Sequence, residues 1–500
     1  MALKVFEDTF RSQGKQWEGK AELPVDTEIL IPDYLPQVFK VVKCLVYMVL
    51  LQKNVSGARL HLEGYLRCVV LYQAEGEGSL CRTEQKLPFE RTVDLPDESF
   101  SHSVVETDGS VEYINCRAVN QRRIELRGGY ILAYHLSGTE EMKLVTALAD
   151  EGIEQRLEGV SCTQLAANLD KLITNEEDIQ LPAATRSIVD ISGSGHLSEK
   201  KLLGGKGVFK GNTTVRISFF AEGEEALRQE TVQVGFHQIV DIEGLDENSQ
   251  CTAAVETIGC MVTAGADGAS VLTVTSMLHI SVYNSARVEA VCDAFSTSHQ
   301  TETEYRDFVY ETVTAEVENS IICETAAELP GPDCVLLGVL GSVTPPACLA
   351  QGSGSALGGQ LQALLLYKNA LGEYGGVDVT FPYQFSFDSA CHAERFDGSA
   401  QLERLQWRAG EGKAALSAQV ALSGIAFARE SHTMLASIGC KEAYDKADGV
   451  ALRIYYASEG ERVFDIAKRY HARPKELMAC NRLEGEVLTE KKHILIPSAN

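Results

Sequence analysis

The chain is 500 residues long with a formal net charge of -25, of which the last fifty residues, with nine Lys/Arg and seven Asp/Glu, carry about +2. That length suits three or four domains, each able to bury a core. The first 450 residues, at about -27, repel nucleic-acid phosphates and anionic lipid surfaces, so nucleic-acid binding is excluded for them.

The opening "MALKVFEDTFRSQGKQ" has no apolar h-region, so export by the common secretory route is not expected. The longest apolar run, Leu45 to Leu51, is far short of the ~20 residues that a bilayer span needs. The fourteen cysteines form no Cys-x-x-Cys pair and sit in apolar runs such as "KCLVYMVLL" and "IICET". They read as reduced, buried thiols; neither a disulfide framework nor a zinc site is expected, and no cofactor is called for.

Along the chain one pattern recurs. "YQAEGEGSLCRTEQKLPFERTVDL" from Tyr72 aligns without a gap on "FFAEGEEALRQETVQVGFHQIVDI" from Phe219, with Ala74, Glu75, Gly76, Glu77, Leu80, Phe89, Val93 and Asp94 matched by Ala221, Glu222, Gly223, Glu224, Leu227, Phe236, Val240 and Asp241. A more divergent copy follows, with "GQLQALLLYK" from Gly359 resembling "GYLRCVVLYQ" from Gly64, and Asp388 in the place of Asp94 and Asp241. A Leu-Pro precedes each copy, ending at Pro24, Pro182 and Pro330, and two copies close alike, with "VCDAFS" and "CKEAYD". The expected units are 1–150, 151–300 and 301–450, followed by a small unit at 451–500.

Within each copy the runs are strand-like: "TTVRISFF" and "ETVQVGFHQIV" alternate partly and are rich in β-branched residues. "RLEGVSCTQLAANLDKLI" is ambiguous between strand and helix. The expected fold is mainly β, three tandem sandwich-type domains forming a long, acidic array, with a small α+β tail.

No catalytic constellation assembles. "GGKG" at Gly204–Gly207 lacks the order of a phosphate loop and reads as a turn. "QGSGSALGG" from Gln351 feeds a strand and so is no nucleophile elbow. Asp94, Asp241 and Asp388 follow apolar strands, where Asp initiates turns. His237 and His392 stand alone. The chain is therefore expected not to be an enzyme, and no metal site is expected.

The tail differs. "RIYYAS" is a short strand, Gly460 a turn, and "ERVFDIAKRY" places Val463, Ile466, Ala467 and Tyr470 at helical spacing. "RPKELMACN" gives a second helix with Pro474 in its first turn and Leu477 and Met478 facing inward, and "KHILIP" closes as a strand.

This β-α-α-β segment resembles a LysM domain. Gly460, Glu461, Arg462, Val463, Ile466 and Ala467 correspond to the family's Gly-Asp-Thr-Leu-x-x-Ile-Ala, Leu477 and Asn481 to its Leu-x-x-x-Asn, and Ile496-Pro497 to its closing Ile-Pro. LysM domains commonly bind N-acetylglucosamine polymers, and the resemblance implies a groove made by Gly460, Glu461, Arg462, Val463 and Phe464 with Asn481, Arg482 and Leu483. Glu461-Arg462 replaces the usual Asp-Thr, and a long guanidinium arm suits a carboxylate better than an amido sugar, which favours a protein ligand.

"VVKCLVYM", "LHLEGYLRCVVLY", "LPFERTVDLP" and their counterparts around Ile188–Asp241 look like the SPOCS domain of spore-coat proteins in spore-forming Firmicutes. SPOCS repeats before one LysM domain resemble the clostridial SipL-type spore coat morphogenetic family. That resemblance implies a non-enzymatic scaffold in the mother-cell cytoplasm at the forespore surface, and so in the spore coat. Its implied partners are the coat morphogenetic ATPase, bound through the LysM domain, and other coat proteins. The alternative is a cell-wall or cortex protein whose tail binds peptidoglycan.

Overall fold

The computed structural model describes residues 3–497 apart from 77–78, 101–102, 151, 182–184, 222, 225, 265–269, 353, 389–390, 411 and 445–452. Glu77, Pro182, Glu222, Ser353 and the expected boundary between 450 and 451 lie outside the described residues.

The chain is mainly β. In its first part β1 (Lys4–Leu30) pairs antiparallel with β6 (Arg123–Ala149), whose other edge takes β5 (Val104–Asn120). Between them β2 (Val38–Ser56), β3 (Arg59–Ala74) and β4 (Leu80–Asp94) form a meander. The same pairing order returns: β7 (Ile153–Ile179), β12 (Ser270–Ser296) and β11 (Gln250–Ala264) make one sheet, and β8 (Thr185–Leu203), β9 (Lys206–Ala221) and β10 (Arg228–Asp241) the other. It returns again with β13 (His299–Glu328), β19 (Lys413–Ala443) and β18 (Arg395–Gly410). There the meander's first strand is split into β14 (Val335–Val343) and β15 (Ala347–Gln351), both paired with β16 (Gly354–Lys368), which also pairs β17 (Tyr374–Ser386).

Local chemistry accounts for these elements. In β10, Val234 and Phe236 are buried while Gly235 and His237 are exposed, the period-two pattern of a sheet with one wet face. The ambiguous run near Leu157–Ile173 is extended, because β12 pairs with it from Ile179 back to Ile153, interrupted by two register shifts. Gly204 and Gly205, at φ 54° and 81°, make a two-residue hairpin turn that closes on the Leu203–Lys206 pair, a shape that needs positive φ at both positions. Asp94 and Asp241 end their meanders and pair with Arg59 and Lys206 at 3.3 and 3.2 Å across the same hairpin ends.

Each pair of sheets closes face to face. In the first unit Leu23 and Ile29 from β1 meet Leu60 and Leu62 from β3 and Ile124 and Leu126 from β6 in one core. This is the sandwich layering expected from the sequence.

The arrangement departs from an extended array. Leu144, Val291 and Met434 stand at one position of β6, β12 and β19, each 21 residues beyond Arg123, Ser270 and Lys413. All three are buried, in two adjoining apolar clusters that each draw on all three units. A further shared cluster joins Leu71 and Leu80 to Val189 and Phe220 and to Leu337, Leu364 and Leu366. The units therefore close around a common axis. An extended array would leave these side chains in water, and burying a large aliphatic side chain is worth about 1.5–3 kcal/mol.

The tail consists of β20 (Arg453–Ala457), α1 (Val463–Tyr470), α2 (Pro474–Asn481) and β21 (Lys492–Ile496), with β20 and β21 antiparallel. Pro474 opens α2 at a position whose N–H would have no helical partner. Ile466, Ala467, Leu477, Ile494 and Ile496 fill the core, as the helical spacing requires.

Candidate functional site

The loop between β20 and α1 is tied to the segment before β21. The Gly460 N–H donates to the Leu488 carbonyl at 2.8 Å, the Val463 N–H to Glu486 at 2.8 Å, and the Leu488 N–H to Glu461 at 2.9 Å. Gly460 holds φ 85°, which a side chain would resist. Gly460 and Arg462 emerge exposed from this clasp. Glu461 is half-buried and accepts a hydrogen bond from the Tyr455 hydroxyl at 3.1 Å. On the other side Arg482 caps α2 at φ 52° and is exposed, with Leu483 half-buried beside it.

Three residues assigned to the groove do other work. Val463 is 1 % exposed and belongs to the core, because the first turn of α1 directs it inward. Asn481 donates to the Leu477 carbonyl of its own helix at 2.9 Å, and its bonds to Leu495, donating to the carbonyl and accepting from the N–H at 2.7 Å each, tie α2 to β21. Phe464 packs edge-on against Phe295 of β12, with ring centres 5.2 Å apart, and lies under the Arg156 guanidinium. Gly460, Arg462 and Arg482 remain as the exposed members of the set.

Phe464 marks a docked face that the sequence did not disclose. Phe295 joins the tail's own core. Arg156 reaches Asp465 at 3.3 Å, Lys468 reaches Asp293 at 2.6 Å, and Arg473 lies 4.0 Å from Glu154. Tyr444 stacks on His471 at 3.8 Å. Phe295 and Tyr444 are the aromatic residues of "VCDAFS" and "CKEAYD", the similar closing segments of the second and third copies. That likeness was the available signal, although nothing in it named the tail as partner.

Between the shared clusters lies an axial cavity of about 1200 Å³. Its walls are the inner edge strands, β2 and β5, β8 and β11, β14 and β18. Glu106, Thr252 and Asp397, each third in β5, β11 and β18, all face it. Thr252 and Tyr283 donate to Asp397 at 2.8 and 2.7 Å. Beneath them Arg395 is held two-pronged by Glu311 at 2.8–3.1 Å, stacks over Phe427 at 4.0 Å, and stands 3.8 Å from Glu106. Burial pushes the Glu106 carboxyl up to about 7 against the pull of Arg395. On the same wall His279 bridges Asp170 and Glu256 at 2.7 and 3.1 Å. Burial disfavours its charge, but these carboxylates outweigh that and hold it above its ordinary value.

His237, His392, Asp94 and Asp241 lie exposed on the outer surface, and no group of three His, Cys, Asp or Glu able to hold a metal occurs among the described residues.

Residues 37–119 match the family model described as SipL, SPOCS domain. The first unit carries a SipL-like SPOCS domain. No curated protein and no solved structure matches the chain. The SPOCS match runs from β2 to the end of β5, so it contains the meander and both inner-wall strands of its unit. The strands that bracket it, β1 and β6, supply the rest of the outer sheet and this unit's part of two of the shared clusters. In the described residues no helix is long and apolar enough to cross a membrane.

Proposed function

We propose that this protein is a non-enzymatic spore-coat morphogenetic scaffold that docks on the coat morphogenetic ATPase at the forespore surface through its C-terminal module, there read as a LysM domain. The observation that carries the reading is the SPOCS match of residues 37–119, a domain tied to sporulation. The threefold return of one strand pairing supports reading the second and third units as further SPOCS copies. The tail supports the docking role: its α1 face is committed to the body, while Gly460, Arg462 and Arg482 point outward. Two guanidinium groups on an otherwise acidic protein suit carboxylates on a partner.

The test is co-purification of the full chain with the ATPase. Arg462→Glu with Arg482→Glu should lower recovery of the complex at least tenfold and leave the melting temperature unchanged. Undiminished recovery overturns the assignment of this surface. Sedimentation of the full chain with purified peptidoglycan, lost in the same double variant, would instead establish the wall-binding alternative.

A further inference from the structure

The axial cavity is walled by strand edges. β2, β5, β8, β11, β14 and β18 each have a hydrogen-bonded strand neighbour on one side only, and residues from all six border the space. The outward backbone N–H and C=O groups of such an edge need partners, and another strand is the partner they fit. Side chains of neighbouring units answer some of them. Gln401 Nε2 donates to the Val255 carbonyl at 3.0 Å, and Arg216 Nη1 to the Leu402 carbonyl at 3.3 Å. Among the described residues no side chain of another unit reaches the backbone of residues 104–111 in β5, all of which border the cavity; there the Gly109 N–H turns to the Asp108 side chain at 2.7 Å.

The charge of the space selects the strand. Its lining holds seven Asp/Glu against four Lys/Arg, an excess that favours a cationic occupant. Two of the four cations are already engaged, Arg216 as above and Lys43 with Asp378. Glu106 and Asp108 stand two apart on β5 and so share one face of the strand. Arg395 and His135 stand 3.8 Å from Glu106, and Arg395 is already held by Glu311. These carboxylates do not converge on a point, and no group of three able to hold a metal occurs among the described residues. Leu51 and Val111, large apolar side chains on the first unit's wall, are left 45 and 43 % exposed. At sheet spacings a strand residue fills about 160 Å³, so a cavity of about 1200 Å³ admits roughly seven residues.

We propose that the axial cavity is a docking site for an extended polypeptide segment of a partner protein, with lysine or arginine at alternate positions, which adds to β5 as a further strand. The segment's backbone pairs with residues 104–111. Two of its cations stand across the strand pair from Glu106 and Asp108, where opposite charges stabilise a sheet. The residues between them fall on the other face, with Val111, and are apolar. This site is separate from the exposed arginines of the tail and rests on none of their reading.

The test is isothermal titration calorimetry of the full-length protein with a capped peptide of about seven residues, the length that strand spacing allows, alternating lysine and valine. Saturable binding of one peptide per chain is expected, with hydrogen exchange in β5 slowed at least tenfold in the complex. The same peptide with glutamate for lysine should not bind. Spermine, which carries the charge without a backbone, should bind at least tenfold more weakly. Glu106→Gln with Asp108→Asn should weaken the lysine peptide at least tenfold. Arg462→Glu with Arg482→Glu should leave its affinity unchanged, which separates this site from the C-terminal one. Absence of binding, equal binding of spermine or of the glutamate peptide, or binding that leaves exchange in β5 unchanged overturns the proposal, and the exchange readout needs no variant to fold.

Discussion

Arg395 and Glu106 show how charged chemistry is carried inside a β fold. Arg395 is 4 % exposed, and its charge is already answered by the paired oxygens of Glu311. Burial pushes the Glu106 carboxyl up to about 7, with Asp397 and Glu311 adding repulsion against the pull of Arg395. In the unfolded chain a glutamate titrates near ~4.3. Between those two values the unfolded chain gives up its proton first, so stability present at pH 4 is lost as pH rises through 7. Glu106→Gln removes this loss. In melting curves at pH 8 the variant should be more stable than the wild type, and at pH 4.5 the two should coincide; a less stable variant at pH 8 would contradict the account. None of this was legible in the sequence, where Glu106 and Arg395 look like ordinary charges on strands. Arg395 meets Glu311 from another strand of its own sheet, and Glu106 reaches it from a different unit, 289 residues away. The turn residues were legible, because Gly204, Gly205 and Gly460 act through their own backbone and need no partner.

At the scale of elements, the tail's β-α-α-β order was readable because apolar spacing and Pro474 fix both helices locally. Its docking was not, because Asp465, Lys468 and Arg473 look like a solvated helix face until Arg156, Asp293 and Glu154 are set against them. The strongest single link is Phe295, since burying a phenylalanine is worth about 3–5 kcal/mol when judged by truncation to alanine. The Lys468–Asp293 pair adds about 1 kcal/mol or less, being partly open to solvent. Phe295→Ala with Lys468→Glu should free the tail. Hydrogen exchange in α1 should then speed up by at least tenfold, while exchange in β12 and β19 stays slow. Unchanged exchange in α1 would mean that the tail's own core suffices and the docked face contributes little. In the long strands the same limit on reading applied: β7 looked ambiguous until its pairing with β12 decided it.

For the molecule as a whole, the mainly β character was legible and the closure around one axis was not. The axial residues Leu144, Val291 and Met434 carry the same apolar signature as the residues that fill each sandwich, so sequence cannot say which neighbours cover them. Closure changes what counts as a unit of stability. A chain ending after residue 297 lacks the third unit and leaves Leu144, Val145, Val291 and Ala294 without their cover from Met434 and Leu435. Such a two-unit chain should self-associate or unfold at a temperature well below that of the full protein, as read by size-exclusion chromatography and calorimetry. A monomeric fragment that melts like the parent would show that each unit stands alone.

The pairing of β1 with β6 also sets a timetable for synthesis. Leu30 pairs with Arg123 and Lys4 with Ala149, so the first strand made is the last to be covered in its unit. At ~5–20 residues per second, the ribosome needs roughly 5–20 s to bring Arg123 out after Leu30. A long strand waiting with open edges is a template for wrong partners. Each later unit repeats the delay, and the shared axis stays unsealed until β19 emerges with Met434 and Leu435. The fold is thus completed only once β19 has been made, and the tail docks onto the body only after that closing strand.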